Sequence, residues 1–142
     1  MRVLGLAIVL FCVGCCGSGP LRVRHVYLDP RHLASSHVET PDPRKCDFYG
    51  QQLIINWKLP QRCRCLNDLH LLLTVRYGTH EMDEVKIPLC RLRGQYVYRL
   101  MGCEYRERCG IVTYKVEIVG NGQVLHTWNH QVWTELIEFE EL

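Results

Sequence analysis

The stretch that decides the fold is CDFYGQQLIINWKLPQRCRCLNDLHLLLTVRY, Cys46 to Tyr77. Within it Leu53, Ile55, Trp57 and Leu59 alternate with Gln52, Asn56 and Lys58. After an interruption at Pro60, Leu69, Leu71, Leu73, Val75 and Tyr77 alternate with His70, Thr74 and Arg76. A period of two puts one set of side chains on each face of a half-buried strand. A strand bearing Trp57, followed by one closing on Tyr77, is the expected middle of an antiparallel sandwich, whose large rings fill the space between sheets.

Outward from this stretch the same signals recur at short intervals. Residues 20–45 hold Pro20, Pro30, Pro41 and Pro43 with one alternating patch, Val23 to Leu28. They predict an extended arm that can pair only at a sheet edge, because proline has no place in a central strand. A short strand A is predicted over Lys45 to Tyr49, Gly50 as a turn, strand B from Gln51 to Leu59 and strand C from Leu69 to Tyr77. An edge strand around Val85, Ile87 and Leu89 tolerates Pro88. Gly94 predicts a break before a strand with Tyr96, Tyr98 and Leu100, and Gly102 to Gly110 a charged loop. Strand F runs from Val112 to Ile118; Gly120-Asn121-Gly122 supplies the positive φ of a tight hairpin into strand G, Gln123 to Trp133. No helix is predicted in the mature chain. The expected fold is an all-β antiparallel sandwich of about seven strands.

Composition sets the class. Met1 to Gly19 has Arg2, an apolar run and then small residues, the layout of a secretory signal peptide. No second run of that kind follows, so no membrane span is expected and the product should be secreted and extracellular. The domain expectation is a signal at 1–19, the arm at 20–45, the sandwich at 46–139 and an acidic end at 140–142. Beyond the signal stand Cys46, Cys63, Cys65, Cys90, Cys103 and Cys109, an even set that in a secreted domain reads as about three disulfides. Cys63-x-Cys65 fits no zinc spacing, and His126 and His130 around Trp128 lack a third ligand, so no metal is expected. A net charge of +2 gives no reason to expect nucleic acid. Ser18, Ser35 and Ser36 are the only serines, none in a nucleophile elbow, and the expectation is a protein that is not an enzyme and needs no cofactor.

The order Cys46, Trp57, a polar loop with cysteine, LHLLLTVRY, Cys90, Gly102-Cys103, the YKVEI strand and the hairpin into TWNHQVWTEL resembles a known family. It is similar to the N-terminal fibronectin-III-like domain of type I cytokine receptors such as the interleukin-4 receptor alpha and common gamma chains. The resemblance spans about Cys46 to Phe139. It implies a fibronectin-III/immunoglobulin-like sandwich that captures a four-helix cytokine or a cytokine-receptor chain. By this resemblance Cys90 pairs with Cys103. The family's usual cysteine two residues before the tryptophan is Ile55 here, so Cys46 is left to Cys63 or Cys65, with Cys109 taking the other. The second receptor domain with its WSxWS box is missing here, as are a span and a cytoplasmic tail, which implies a soluble decoy or modulator.

The family grips its ligand with three loops at one end. Carried over, these are Phe48 and Tyr49; Tyr77, His80 and Glu81; and Glu104, Tyr105, Arg106 and Arg108. The last loop is the strongest, since Tyr and Arg dominate interface hot spots. Two other readings stand beside this one: a secreted lipid-binding sandwich of the MD-2-related type, suggested by IPLC (Ile87 to Cys90) and YKVEI, and an accessory subunit of a surface or envelope glycoprotein. A lipid carrier needs splayed sheets around an apolar cavity, whereas a receptor-like domain fills its interior.

Overall fold

The computed structural model describes residues 19–32 and 49–134. Seven strands form two antiparallel sheets: β1 (Leu21–Leu28), β2 (Gly50–Lys58), β3 (His70–Tyr77), β4 (Met82–Pro88), β5 (Arg93–Met101), β6 (Ile111–Gly120) and β7 (Gln123–Asn129). The first sheet has the order β1-β2-β5 and the second β4-β3-β6-β7. Because β4 pairs with β3 and not with β5, the arrangement is the fibronectin-III variant of the immunoglobulin-like sandwich. Strands β2 and β3, neighbours in sequence, therefore lie in opposite sheets.

The alternation that predicted the strands also builds the core. Leu53 and Ile55 of β2, with Leu100 of β5 in the same sheet, face Leu71, Leu73 and Val75 of β3 and Val116 and Ile118 of β6, all of them fully buried. Each large apolar side chain so removed from water contributes about 1.5–3 kcal/mol. The predicted hairpin is present: Asn121 (φ 52) and Gly122 (φ 73) both adopt the left-handed conformation that a two-residue turn demands.

Several expectations are corrected. The first sheet begins at Leu21, before the expected domain start at residue 46. The patch in the predicted arm is β1, which pairs at the sheet edge, as expected, but as a full strand, from Leu21↔Trp57 to Leu28↔Gly50, and buries Leu21 and Val23. Gly50 is the first residue of β2, not a turn; Tyr49 is in no strand, and residues 45–48 of predicted strand A lie outside the described residues. Gly94 lies inside β5 opposite Trp57; a Cβ there would sit 2.4 Å from the indole ring, so the glycine makes room for the ring and does not break the strand. Trp57 is consequently half-buried at the end of β2, packed on the core's margin, with Nε1 donating to the Arg91 carbonyl at 3.0 Å. Gly102 to Gly110 is not simply a loop but holds a short helix, α1 (Gly102–Glu107). Finally β7 stops at Asn129, four residues before the predicted end.

Candidate functional site

The residues carried over from the family converge on one end of the sandwich. Register explains it: Leu28 of β1 lies beside Gly50 of β2, and Gly50 beside Met101 of β5, from which α1 starts. The β3–β4 turn folds against the end of that helix, with Gly78 N–H donating to the Gly110 carbonyl (3.0 Å) and Thr79 N–H to that of Arg108 (3.3 Å). The approach is so close that a Cβ on Gly78 would lie 2.6 Å from the Cys109 carbonyl oxygen. Tyr49, His80, Glu81, Glu104, Tyr105, Arg106 and Arg108 thus share one pole.

Their roles differ. Tyr77, expected to meet a ligand, is 1% exposed and holds the platform from below. Its hydroxyl donates to Asp83 (3.1 Å) and hydrogen-bonds Tyr98, and the Arg108 guanidinium lies over its ring at 4.4 Å. Burial first, then the bond to Tyr98, push the phenol far above its ordinary range, so it stays protonated. Arg108 also donates to Asp83 and lies 3.4 Å from Glu104, which closes a network of rings and charges beneath the pole. Gln51, buried at the start of β2, accepts from the Ile111 N–H across the gap between sheets. Tyr77 and Arg108 are therefore positioning residues, while Tyr49, His80, Glu81, Glu104 and Arg106 are exposed.

On this platform lies an aromatic strip. Tyr49 meets Tyr105 edge to face at 5.4 Å; burial first, then the neighbouring Tyr49 and Tyr27, push the Tyr105 phenol up, and Tyr27 is 66% exposed. Tyr27 stacks on His25 at 4.8 Å, and His25 meets both Tyr114 and His130. Burial, then the neighbouring His130, lower the pKa of His25. His25 Nε2 and His130 Nδ1 are enclosed with no hydrogen-bond partner among the described residues. Sequence reasoning missed Tyr27 and His25 because it placed them in an arm; the alternation of Val23, His25 and Tyr27 was the signal that put them on one face.

The cysteines correct the family-derived pairing. Cys90 precedes β5 and Cys103 follows it, so a strand on the order of 30 Å long separates them. A disulfide spans Cα atoms only about 6 Å apart. Cys63 and Cys90 instead line one cleft at the pole opposite α1, with Cys65 beside them in the short 3-10 turn Gln61–Cys65. Cys103 lies in the first turn of α1 and Cys109 just beyond its end; none of these five is bonded, and Cys46 and Phe48 lie outside the described residues. Among the described residues no three His, Cys, Asp or Glu side chains gather to hold a metal, and no helix is long and apolar enough to cross a membrane. No family model matches the chain, and no curated protein and no solved structure is significantly similar to it.

Proposed function

We propose that the chain is a secreted protein-binding sandwich that captures a helical cytokine or a cytokine-receptor chain through the α1 pole. The observation that carries this reading is the edge-to-face pair of exposed Tyr49 and half-buried Tyr105, with exposed Tyr27 and Arg106 at the same pole, mounted on a hydrogen-bonded platform. Tyrosine and arginine supply large contact area with few rotamers to freeze, and a preorganised mount lowers the entropy lost on binding. The exposed Met82 and Val112 at the starts of β4 and β6 add apolar surface near the same end. A filled interior supports this reading over a lipid carrier, because the side chains between the sheets leave no exposed surface at Leu53, Leu73 or Val116. On this reading the chain acts on its ligand by sequestration or competition.

The test is a binding panel of purified helical cytokines and receptor ectodomains against the full chain and the Tyr105→Ala/Arg106→Ala variant. The expected result is one captured family member whose affinity drops at least about a hundredfold in the variant, since two hot-spot residues each cost about 2 kcal/mol or more. Capture that survives the substitutions moves the site elsewhere; co-purified lipid and no captured protein would sink the proposal.

A further inference from the structure

The two outer faces of the sandwich carry opposite charge designs. Strands β1, β2 and β5 contain Arg22, Arg24, Lys58, Arg93 and Arg99 and not one carboxylate. Alternation and register bring all five to the outer face: Lys58 lies opposite Arg93, Arg22 opposite Asn56, Arg24 opposite Ile54, and Arg99 opposite Gln52. All five are exposed, and among the described residues none makes an ion pair. The four-stranded sheet is balanced instead, with Arg76, Lys86 and Lys115 set among Asp83, Glu84 and Glu117. Like charges facing each other across a ladder are destabilising, so the Lys58–Arg93 pair is a standing cost that an anion would relieve.

The face is also furrowed. A cleft of about 350 Å³ is lined by Arg22, Lys58 and Arg93 together with Trp57. A second, of about 660 Å³, continues past Arg24, Asn56 and Gln95. The two share Arg22, Asn56 and Gln95, which makes one continuous track across the strands. We infer that this track binds a linear sulfated polysaccharide of the glycosaminoglycan class. Arginine forks match sulfate and carboxylate oxygens in pairs, and the amides of Asn56 and Gln95 match sugar hydroxyls. A single-stranded nucleic acid would want a run of exposed aromatic rings on which bases stack, and the track offers only two half-buried rings, Trp57 in the first cleft and Trp128 in the second. A protein partner would want aromatic anchors, and those are at the α1 pole. The choice of glycan over nucleic acid also leans on the extracellular location proposed above, but the binding itself is independent of the aromatic strip.

The experiment uses the purified full chain with heparin as probe, and it does not involve any cytokine, so its outcome and that of the cytokine panel are read separately. Wild-type protein should stay on immobilised heparin above about 0.15 M salt and ignore desulfated heparin. Arg22→Ala/Arg24→Ala/Arg93→Ala should weaken binding at least about tenfold, with unchanged circular dichroism, while Arg76→Ala/Lys86→Ala on the opposite sheet leaves it intact. Amide shifts on titration with a heparin hexasaccharide should map to β1, β2 and β5. Absence of retention, shifts confined to the four-stranded sheet, equal loss in the control variant, or an oligothymidylate competing as well as heparin would each overturn the inference.

Discussion

The two poles of the sandwich are closed by different means. At the α1 pole the joint is polar and geometric: Gln51 reaches across to Ile111 N–H, Tyr77 and Arg108 converge on Asp83, and Gly78 lets the β3–β4 turn touch the backbone of Cys109. At the opposite pole leucines fill the joint, Leu66, Leu69, Leu89 and Leu92 around Cys63 and Cys90, with Trp57 against Gly94. Its hydrogen bonds tie connecting segments, Asn67 to Asn121 and the Trp57 indole to the Arg91 carbonyl. The lesson is that a buried network of side-chain hydrogen bonds fixes the pole that presents rings to solvent, while leucine packing fills most of the other. Directional bonds hold exposed side chains at set angles; apolar contacts tolerate sliding.

Oxidation gives the largest test of this contrast. Non-reducing peptide maps of oxidised protein should link Cys63 to Cys90 and never Cys90 to Cys103, and reduction should cost about 2–4 kcal/mol in urea unfolding. A Cys90–Cys103 peptide would break the polar division outright. Next, Gly78→Ala should cost about 2–3 kcal/mol, because the new methyl meets backbone that cannot yield, whereas Gly94→Ala should cost about 1 kcal/mol, because an indole ring can shift. Equal costs would mean that the two joints are equally rigid. Replacing Gln51 by Leu leaves the Ile111 N–H buried without an acceptor, a loss of about 1–3 kcal/mol that should appear with faster amide exchange at Ile111. The smallest effect is acid sensitivity. His25 binds protons more weakly folded than unfolded, so the unfolded chain holds the excess proton and stability rises with pH. Tm should therefore fall as pH drops through about 6.5 and level off below the folded value, with a shallower slope in His25→Gln; an unchanged slope would remove the histidine from the account.

Most of the sandwich was legible in the sequence because its central strands bury one face and leave the other polar. Asn121-Gly122 announced its hairpin through φ alone. What escaped was whatever depended on a partner strand. Gly94 resembles a break until Trp57 is known to lie across from it; six residues of α1 are too short to display a helical period; and the value of Leu21 and Val23 emerges only against Ile55 and Trp57. The candidate site was half legible: Tyr105 and Arg106 stand out as residue types, but their meeting with Tyr49 and Tyr27 requires the register. The basic face was hidden for the same reason, since an overall charge of +2 averages two sheets that differ sharply.

The strand order has a consequence in time. Both tight hairpins, β3–β4 and β6–β7, belong to the four-stranded sheet. The other sheet must join β1 to β2 across residues 29–49 and β2 to β5 across residues 59–92. Closing those long segments costs chain entropy before any pairing repays it, so folding should take milliseconds to seconds, with the four-stranded sheet leading. During that delay β1, β2 and β5 stand unpaired, and their shared positive charge keeps nascent copies apart until the ladder closes.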